Sequence, residues 1–165
     1  QEPWASKLLK PIGDLEWQYH QHDCSVTPDG TILCFDNGNF RATPFGHKMS
    51  DEASYSRVVE FGVDEEAMTV RQVWSYGNAP GERLFACYQG GAYRLPKTGN
   101  TFMTYGGICT RDGKPAGVPS DSFAQARMIE ITPDKEVVFD MWIDDSDSDD
   151  PLPLSSFRAE FVAAS

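Results

Sequence analysis

The chain has 165 residues, of which 40% are apolar and 24% are charged, a composition typical of one folded globular unit rather than of a disordered chain. Its net charge of −11 argues against a nucleic-acid backbone or an anionic membrane surface as the main partner. No run of about 18 apolar residues is present, so the sequence predicts no membrane span.

The beginning of the chain and its cysteines bear on cellular location. Gln1 stands where an initiator methionine is absent, which is typical of a processed or truncated product, and the first residues lack the features of a signal peptide. Four cysteines, an even number, are compatible with an oxidising compartment, and we therefore expect a periplasmic or secreted protein. No Cys-x-x-Cys spacing occurs, which argues against a zinc site. We expect no metal and no cofactor.

The first half of the chain predicts a succession of strands. Residues 15–19 alternate polar and apolar side chains as a strand does, and residues 20–41 predict a β-hairpin that turns at Pro28-Asp29-Gly30. Two more alternating segments, 55–63 and 68–76, predict strands joined by a short acidic turn. No segment shows the sustained 3.6-residue apolar period of a helix.

Residues that can do chemistry gather at the end of this hairpin away from its turn. The first strand begins with His20, His22 and Asp23, and Arg41 follows the second strand. Because the two open ends of a hairpin lie side by side, these side chains are predicted to be neighbours. The segment 36–38, Asp-Asn-Gly, is interpreted mainly as a turn, since Asn and Asp tolerate left-handed backbone conformations.

The order of turns and strands repeats in the second half. Pro28 matches Pro96 and Arg57 matches Arg127, at an offset of about 70 residues. Each repeat predicts one four-stranded antiparallel sheet, which favours the blade of a β-propeller over a sandwich. Two repeats cannot close a ring, because propellers have roughly four to eight blades.

The fold prediction is therefore all-β, with about two propeller blades plus flanking strands across residues 1–165. In chain order the predicted parts are the end of a preceding blade (1–19), a first full blade (20–77), a second full blade (85–143), an acidic and proline-containing loop (144–154) and the first strand of a further blade (155–165). Open sheet edges expose apolar surface that natural proteins cover. We expect a companion polypeptide or a second copy to supply the missing blades.

Two pairs of cysteines are candidates for disulfide bonds. Cys24 and Cys34 lie opposite each other if the hairpin loop has three residues. By the same count, Cys87 and Cys109 fall near the open end of the second hairpin. A directly opposed pair needs favourable geometry, so both pairs stay candidates.

Five segments in order resemble the bacterial arylsulfate sulfotransferases, the PAPS-independent ASST family. They are Gln-His-Asp at 21–23, Phe-Asp-Asn-Gly at 35–38, Tyr-Ser-Arg-Val-Val-Glu-Phe at 55–61, Met-Thr-Val with Gln-Val-Trp at 68–74, and Gly-Asn-Thr at 99–101. The resemblance implies a six-bladed propeller, of which this chain is the C-terminal part. It also implies transfer of a sulfuryl group from an aryl sulfate ester to a phenol, through a sulfated histidine in the central channel.

The resemblance implies roles for individual residues. His22 is expected to be a ligand of the sulfuryl oxygens, with Arg41 as its charge partner, because an imidazolium and a guanidinium are suitable donors to an oxyanion. These two residues are the catalytic candidates. Substrate contacts are expected from Asp23 and Arg158, and His20 is either a further site residue or a partly exposed one at the strand entrance.

One feature departs from the family pattern. The nucleophilic histidine is expected in the second repeat near Gly106-Gly107, yet no histidine follows His47. Cys109 lies close to the expected position, so it is a candidate for substrate binding and, as a thiolate, for nucleophilic attack.

Three functions therefore stay open. The first is part of a sulfuryl-transferring enzyme that acts on an aryl sulfate and a phenolic acceptor. The second is a non-catalytic propeller that binds an anionic or sulfated ligand or a protein partner, which the absence of a later histidine favours. The third is a hydrolase of another ester, because propellers support many activities.

Overall fold

The computed structural model describes residues 3–42, 46–160 and 162. Within these ranges the chain is built from β-strands, preceded by a single 3-10 turn at Ala5–Lys7, so the all-β prediction is confirmed. The strands form two sheets. No helix in the described ranges is long and apolar enough to cross a membrane.

The first sheet contains five strands in the order β1-β5-β4-β3-β2. They are β1 (Lys10–Pro11), β2 (Gln21–Val26), β3 (Ile32–Asp36), β4 (Arg57–Asp64) and β5 (Thr69–Tyr76). Strands β2 to β5 form an antiparallel meander, and β1 lies parallel to β5. The predicted hairpin and the two strands predicted after it are therefore confirmed.

The hairpin turn between β2 and β3 has the predicted chemistry. The Thr27 amide donates to the Thr31 carbonyl at 2.8 Å, which closes a three-residue loop. Gly30 has a φ of +79° in this loop, a conformation that glycine adopts without a steric penalty. The turn thus fixes the register that brings the open ends of the hairpin together.

The second sheet is organised around one long strand. Its strands are β6 (Ala86–Tyr88), β7 (Gly91–Arg94), β8 (Thr101–Arg111), β9 (Lys114–Pro115), β10 (Phe123–Ile131) and β11 (Val137–Ile143). Strands β7 and β6 pair with successive parts of the same edge of β8, and β10 pairs with its other edge. Strand β11 then pairs with β10 and forms the outer edge.

The main core lies between the two sheets. Buried apolar side chains of β3 and β4 meet those of β8 and β10 there, and the rings of Phe35 and Tyr105 pack edge to face with centroids 5.2 Å apart. Strand β2, at the edge of its sheet, contacts β7, at the edge of the other. The open end of the first hairpin therefore faces the second sheet.

The strand predicted at 15–19 is wrong, because the structure assigns no strand there. The segment instead lies across the end of β3, where the Tyr19 amide donates to the Asp36 carboxylate at 2.8 Å and the Gly38 amide donates to the Tyr19 carbonyl at 2.9 Å. The segment is therefore held at the end of a sheet by single hydrogen bonds and does not belong to a strand ladder.

The strand predicted near the end of the chain is likewise absent over residues 156–160, and residues 161 and 163–165 lie outside the described part. The Ser156 amide donates to the Gly106 carbonyl at 2.9 Å, and the Phe157 carbonyl accepts from the Gly90 amide at 3.0 Å. These isolated bonds fasten the segment to the second sheet. A strand needs a continuous partner edge, and this segment meets only separate backbone groups.

Only one of the two candidate cysteine pairs is a disulfide in the structure. Cys24 and Cys34 form a disulfide with their Cα atoms 4.3 Å apart, as the hairpin register predicts. Cys87 and Cys109 are buried free thiols, so a second disulfide is not present. The two thiols are neighbours in one apolar cluster, but they are not directly opposed in the ladder, because Ala86 pairs with Ile108 and Tyr88 with Gly107.

Candidate functional site

His22 lies at the junction of the two sheets. It pairs with Phe35 in the β2–β3 ladder, and the register shifts immediately after it, between His22 and Ser25. Its side chain is partly buried. Because β2 is an edge strand that contacts β7, this imidazole is placed where the two sheets meet.

Asn37 is the closest polar partner of His22. Its Oδ1 atom lies 2.6 Å from Nδ1 of the imidazole. Its Nδ2 atom donates to the carbonyl oxygens of Ala86 and Gln89, both at 2.8 Å. The Asn37 side chain has 0% exposure, so one buried amide links the histidine of the first sheet to the backbone of the second.

Asp23 turns toward the second sheet. Its φ of +51° is a left-handed conformation, favoured here by the bulge in β2. The carboxylate lies against Gly91, where the atom added by any larger side chain would collide with Oδ2. Arg158 Nη1 lies 3.7 Å from the other carboxylate oxygen. The structure therefore brings together the predicted residues His22, Asp23 and Arg158 at the same junction.

Tyr93 stands two residues after Gly91 on β7 and borders the same group. Burial and the neighbouring Asp23 carboxylate raise the pKa of Tyr93 to about 12. The phenol therefore keeps its proton at neutral pH. No pattern in the sequence indicates this residue, because its place beside Asp23 depends on packing between residues 70 positions apart.

Arg41 is held away from His22. The guanidinium, 3% exposed, donates to Asp36 at 2.9 Å and to Glu16 at 2.7 Å, and it stacks on the Tyr55 ring at 4.4 Å. Burial opposes its charge, but the two carboxylates outweigh burial and raise the pKa of Arg41. Within the described residues Arg41 makes no hydrogen bond to His22.

The remaining two candidates lie apart from this junction. His20 is exposed and packs against the ring of Phe40, with centroids 5.2 Å apart. Cys109 is buried on β8 in an apolar cluster with Cys87 and Phe85. The neighbouring Cys87 thiol lowers the pKa of Cys109, while the pKa of Cys87 itself is raised by Cys109 and by burial.

Among the residues that the structure describes, no group of three His, Cys, Asp or Glu side chains is arranged to hold a metal ion. The polar groups at the junction are instead an imidazole, a carboxamide, a carboxylate and a phenol, with a guanidinium at its rim. The imidazole and the carboxylate can exchange protons, and the carboxamide, phenol and guanidinium can donate hydrogen bonds to oxyanions or hydroxyls.

Two curated proteins are similar to part of this chain. The chain is 34% identical to arylsulfate sulfotransferase AssT of Escherichia coli O6:H1 (strain CFT073) over 107 residues, which cover 52% of this chain and 17% of that protein. It is also 34% identical to arylsulfate sulfotransferase AssT of Lelliottia amnigena over 99 residues, which cover 50% of this chain and 16% of that protein. The aligned part thus spans about a sixth of each relative.

The family match covers far more of the chain than these pairwise alignments. Residues 1–151 match the arylsulfotransferase (ASST) family, and this range contains both sheets and every junction residue except Arg158. The chain therefore belongs to the arylsulfotransferase family.

Proposed function

We propose that this chain is part of an arylsulfate sulfotransferase-like enzyme, which transfers a sulfuryl group from an aryl sulfate ester to a phenolic acceptor. Family membership over residues 1–151, with His22 at the junction between the sheets, is the observation that carries the proposal. Because the aligned parts span only about a sixth of the curated relatives, activity and substrates are inferred for the complete assembly.

In this proposal the two sheets are neighbouring blades of a six-bladed propeller. In the first sheet the edge strand is β2, and in the second sheet β6 and β7 lie at one edge. Strand β2 contacts β7, so the two edges meet. Inner strands that converge on an axis are what a propeller requires. The proposed channel then runs beside β2 and β7, where His22 and Asp23 lie.

The remaining blades come from a companion polypeptide or a second copy. Strand β11 supports this part of the proposal, because it forms a sheet edge whose apolar side chains are exposed, among them Val138 at 55% and Trp142 at 45%. An exposed apolar edge of this kind is a site for pairing with another chain. A periplasmic or secreted location is proposed on the Cys24–Cys34 disulfide, since such bonds persist in oxidising compartments.

The chemistry assigned to His22 is acid–base and electrostatic. In the transfer, the sulfur–oxygen bond of the donor breaks and its electron pair leaves with the aryl oxygen, while the acceptor oxygen forms the new bond to sulfur. The acceptor proton needs a base, and the departing aryl oxygen is then protonated. An imidazole can take the first proton and, once charged, can donate a hydrogen bond to a sulfuryl oxygen.

The other candidates receive supporting roles. Asp23 and Arg158 are proposed to contact the substrate at the rim of the junction, with His20 at the strand entrance. Arg41 acts as a positioning residue, because it fixes Asp36, the residue that precedes Asn37. We assign no covalent nucleophile within these 165 residues, because no histidine stands at the position expected near Gly106-Gly107.

The same absence favours a second candidate function, a propeller that binds a sulfated or otherwise anionic ligand, or a protein partner, without turnover. Cys109 does not replace the missing histidine in our proposal, because it is a buried thiol packed beside Cys87. Hydrolysis of another ester uses the same polar groups with water as the acceptor.

The test uses the native particle. Its intact mass shows whether a companion chain is present, and its release of 4-methylumbelliferone from the sulfate ester is measured with and without added phenol. The proposal predicts release that rises with phenol, together with formation of phenyl sulfate. Binding of the ester without release would favour the second candidate, and release independent of phenol would show hydrolysis of the sulfate ester in place of transfer.

A further inference from the structure

We infer that Asn37 is a positioning residue that holds His22 as the imidazole protonated on Nδ1, so that Nε2 is the nitrogen that works on the substrate. The position of this proton on His22 therefore depends on contact between the two sheets. The role of Nε2 in catalysis rests on the proposed function, whereas the position of the proton on His22 does not.

The hydrogen bonds of Asn37 determine the proton position on His22. A carboxamide has two N–H donors and an oxygen that only accepts. The two donors are occupied by carbonyl oxygens, those of Ala86 and Gln89, each at 2.8 Å. Because a carbonyl cannot donate, the amide nitrogen must face the second sheet, and its oxygen must face Nδ1 of His22 at 2.6 Å. That oxygen needs a donor, so Nδ1 carries the proton.

The alternative imidazole form is disfavoured by burial. With the proton on Nε2, the lone pair of Nδ1 would point at the Asn37 oxygen across 2.6 Å. Two facing acceptors repel, and leaving a buried polar group unpaired costs about 1–3 kcal/mol. Asn37 has 0% exposure, so water does not relieve this cost. Nε2 is left with a lone pair when the ring is neutral, which suits a base.

The backbone of the second sheet holds the amide in place. Ser56 links the same groups, since its hydroxyl donates to the Asn37 carbonyl at 2.7 Å and accepts from the Ala86 amide at 2.8 Å. Gln89 and Gly90 form a left-handed turn with φ values of +57° and +120°. This turn aims the Gln89 carbonyl at Asn37.

Gly90 is required for that turn. A Cβ atom at this position would lie 2.7 Å from the Phe35 ring and 2.7 Å from the Thr104 carbonyl, in a backbone conformation that other residues rarely adopt. A larger residue at position 90 therefore displaces the Gln89 carbonyl that orients Asn37, although residue 90 itself makes no bond to His22. The position of the His22 proton thus depends on a turn in the other sheet.

Nuclear magnetic resonance tests the inference without any turnover. Long-range proton–nitrogen spectra of the native particle, recorded at about pH 8.5 where an ordinary imidazole is neutral, assign the protonated nitrogen of His22. We expect a protonated Nδ1 in the native protein and a population protonated on Nε2 in Asn37→Ala. Asn39→Ala is the matched control, because Asn39 is also buried but bonds to the Gly117 carbonyl instead.

A remote variant keeps the inference falsifiable if Asn37→Ala does not fold. Gly90→Ala should change the same His22 signals, while Gly99→Ala should not, because a Cβ atom at Gly99 meets only Pro133 at 3.6 Å. A native His22 protonated on Nε2, or native-like signals in a folded Asn37→Ala or Gly90→Ala protein, would overturn the inference.

Kinetics separate the inference from the proposed function. If the native particle transfers sulfuryl groups, Asn37→Ala should lower kcat by no more than about 10²- to 10⁴-fold, the whole contribution of the acid–base group that it positions, while KM for the donor changes little. If the native particle has no activity, the proposed function fails, and the nitrogen spectra still decide the inference.

Discussion

Asp36 and Arg57 form an ion pair in which neither side chain is exposed, with Nε of the arginine 2.8 Å from Oδ2 of the carboxylate. The same oxygen accepts a hydrogen bond from Arg41 at 2.9 Å, and both arginines reach Glu16. This cluster fixes the end of β3 immediately before Asn37. The junction between the two sheets therefore adjoins a buried network of charges.

The first prediction concerns that network. Asp36→Asn removes the charge that two buried guanidinium groups share, and breaking a buried pair typically costs about 3–5 kcal/mol. We expect a loss of that size in the free energy of unfolding, measured by urea denaturation. Asp140→Asn is the matched control, because the Arg127–Asp140 pair is more exposed and exposed pairs contribute about 0–1 kcal/mol. Equal losses in both variants would contradict the account.

The second prediction concerns Arg41. If it acts by fixing Asp36, its removal should cost stability through the same interaction. In a double-mutant cycle with Arg41→Ala and Asp36→Asn, the two losses should be non-additive by about 0.5–3 kcal/mol. Losses that add fully would show that the two residues act independently and would contradict the positioning role of Arg41.

The third prediction is a pH dependence at the outer edge of the second sheet. The hydrogen bond from Arg127 lowers the pKa of Asp140. A carboxyl group whose folded pKa is depressed adds stability above its unfolded pKa of about 3.9, and this contribution disappears as pH falls through the folded value. The small difference in unfolding free energy between the native protein and Asp140→Asn should therefore vanish in acid. A difference that grows below about pH 4 would contradict this reading.

The fourth prediction counts thiols. Alkylation of the denatured, unreduced protein should modify Cys87 and Cys109, and reduction should expose two more thiols, those of Cys24 and Cys34. In the folded protein alkylation should be slow, because both free thiols are buried and the pKa of Cys87 is raised. Intact mass after alkylation gives the count. A protein with no reactive thiol before reduction would show that Cys87 and Cys109 are also joined.

Local features of the fold were predictable because local chemistry determines them. The alternation of side chains predicts the strands β4 and β5. The turn at Gly30 predicts the register of the first hairpin, and this register places Cys24 opposite Cys34. The segment 15–19 has the same alternation but no strand, because its backbone bonds go to single groups at the end of β3. Alternation alone does not supply a partner edge.

The candidate site at the junction between the sheets was predictable only in part. The hairpin places His22 and Asp23 together, as expected. Asn37 was interpreted as a turn residue. Its role in linking the sheets was missed because its two hydrogen-bond acceptors belong to a sheet that begins almost 50 positions later. The sequence places Arg41 at the open end of the hairpin and so predicts a charge partner for His22. In the structure its guanidinium instead forms ion pairs with Glu16 and Asp36. Distances between sheets are set by packing, which the order of residues does not reveal.

The most direct test of the account is the rate of sulfuryl transfer from 4-methylumbelliferyl sulfate to phenol by the native particle and by its His22→Ala variant. His47→Ala is the matched control, because His47 is exposed and outside the junction. The account predicts that His22→Ala lowers kcat/KM by about 10²- to 10⁴-fold, the contribution of a positioned acid–base group, while His47→Ala matches the native rate. Full activity in His22→Ala would contradict it.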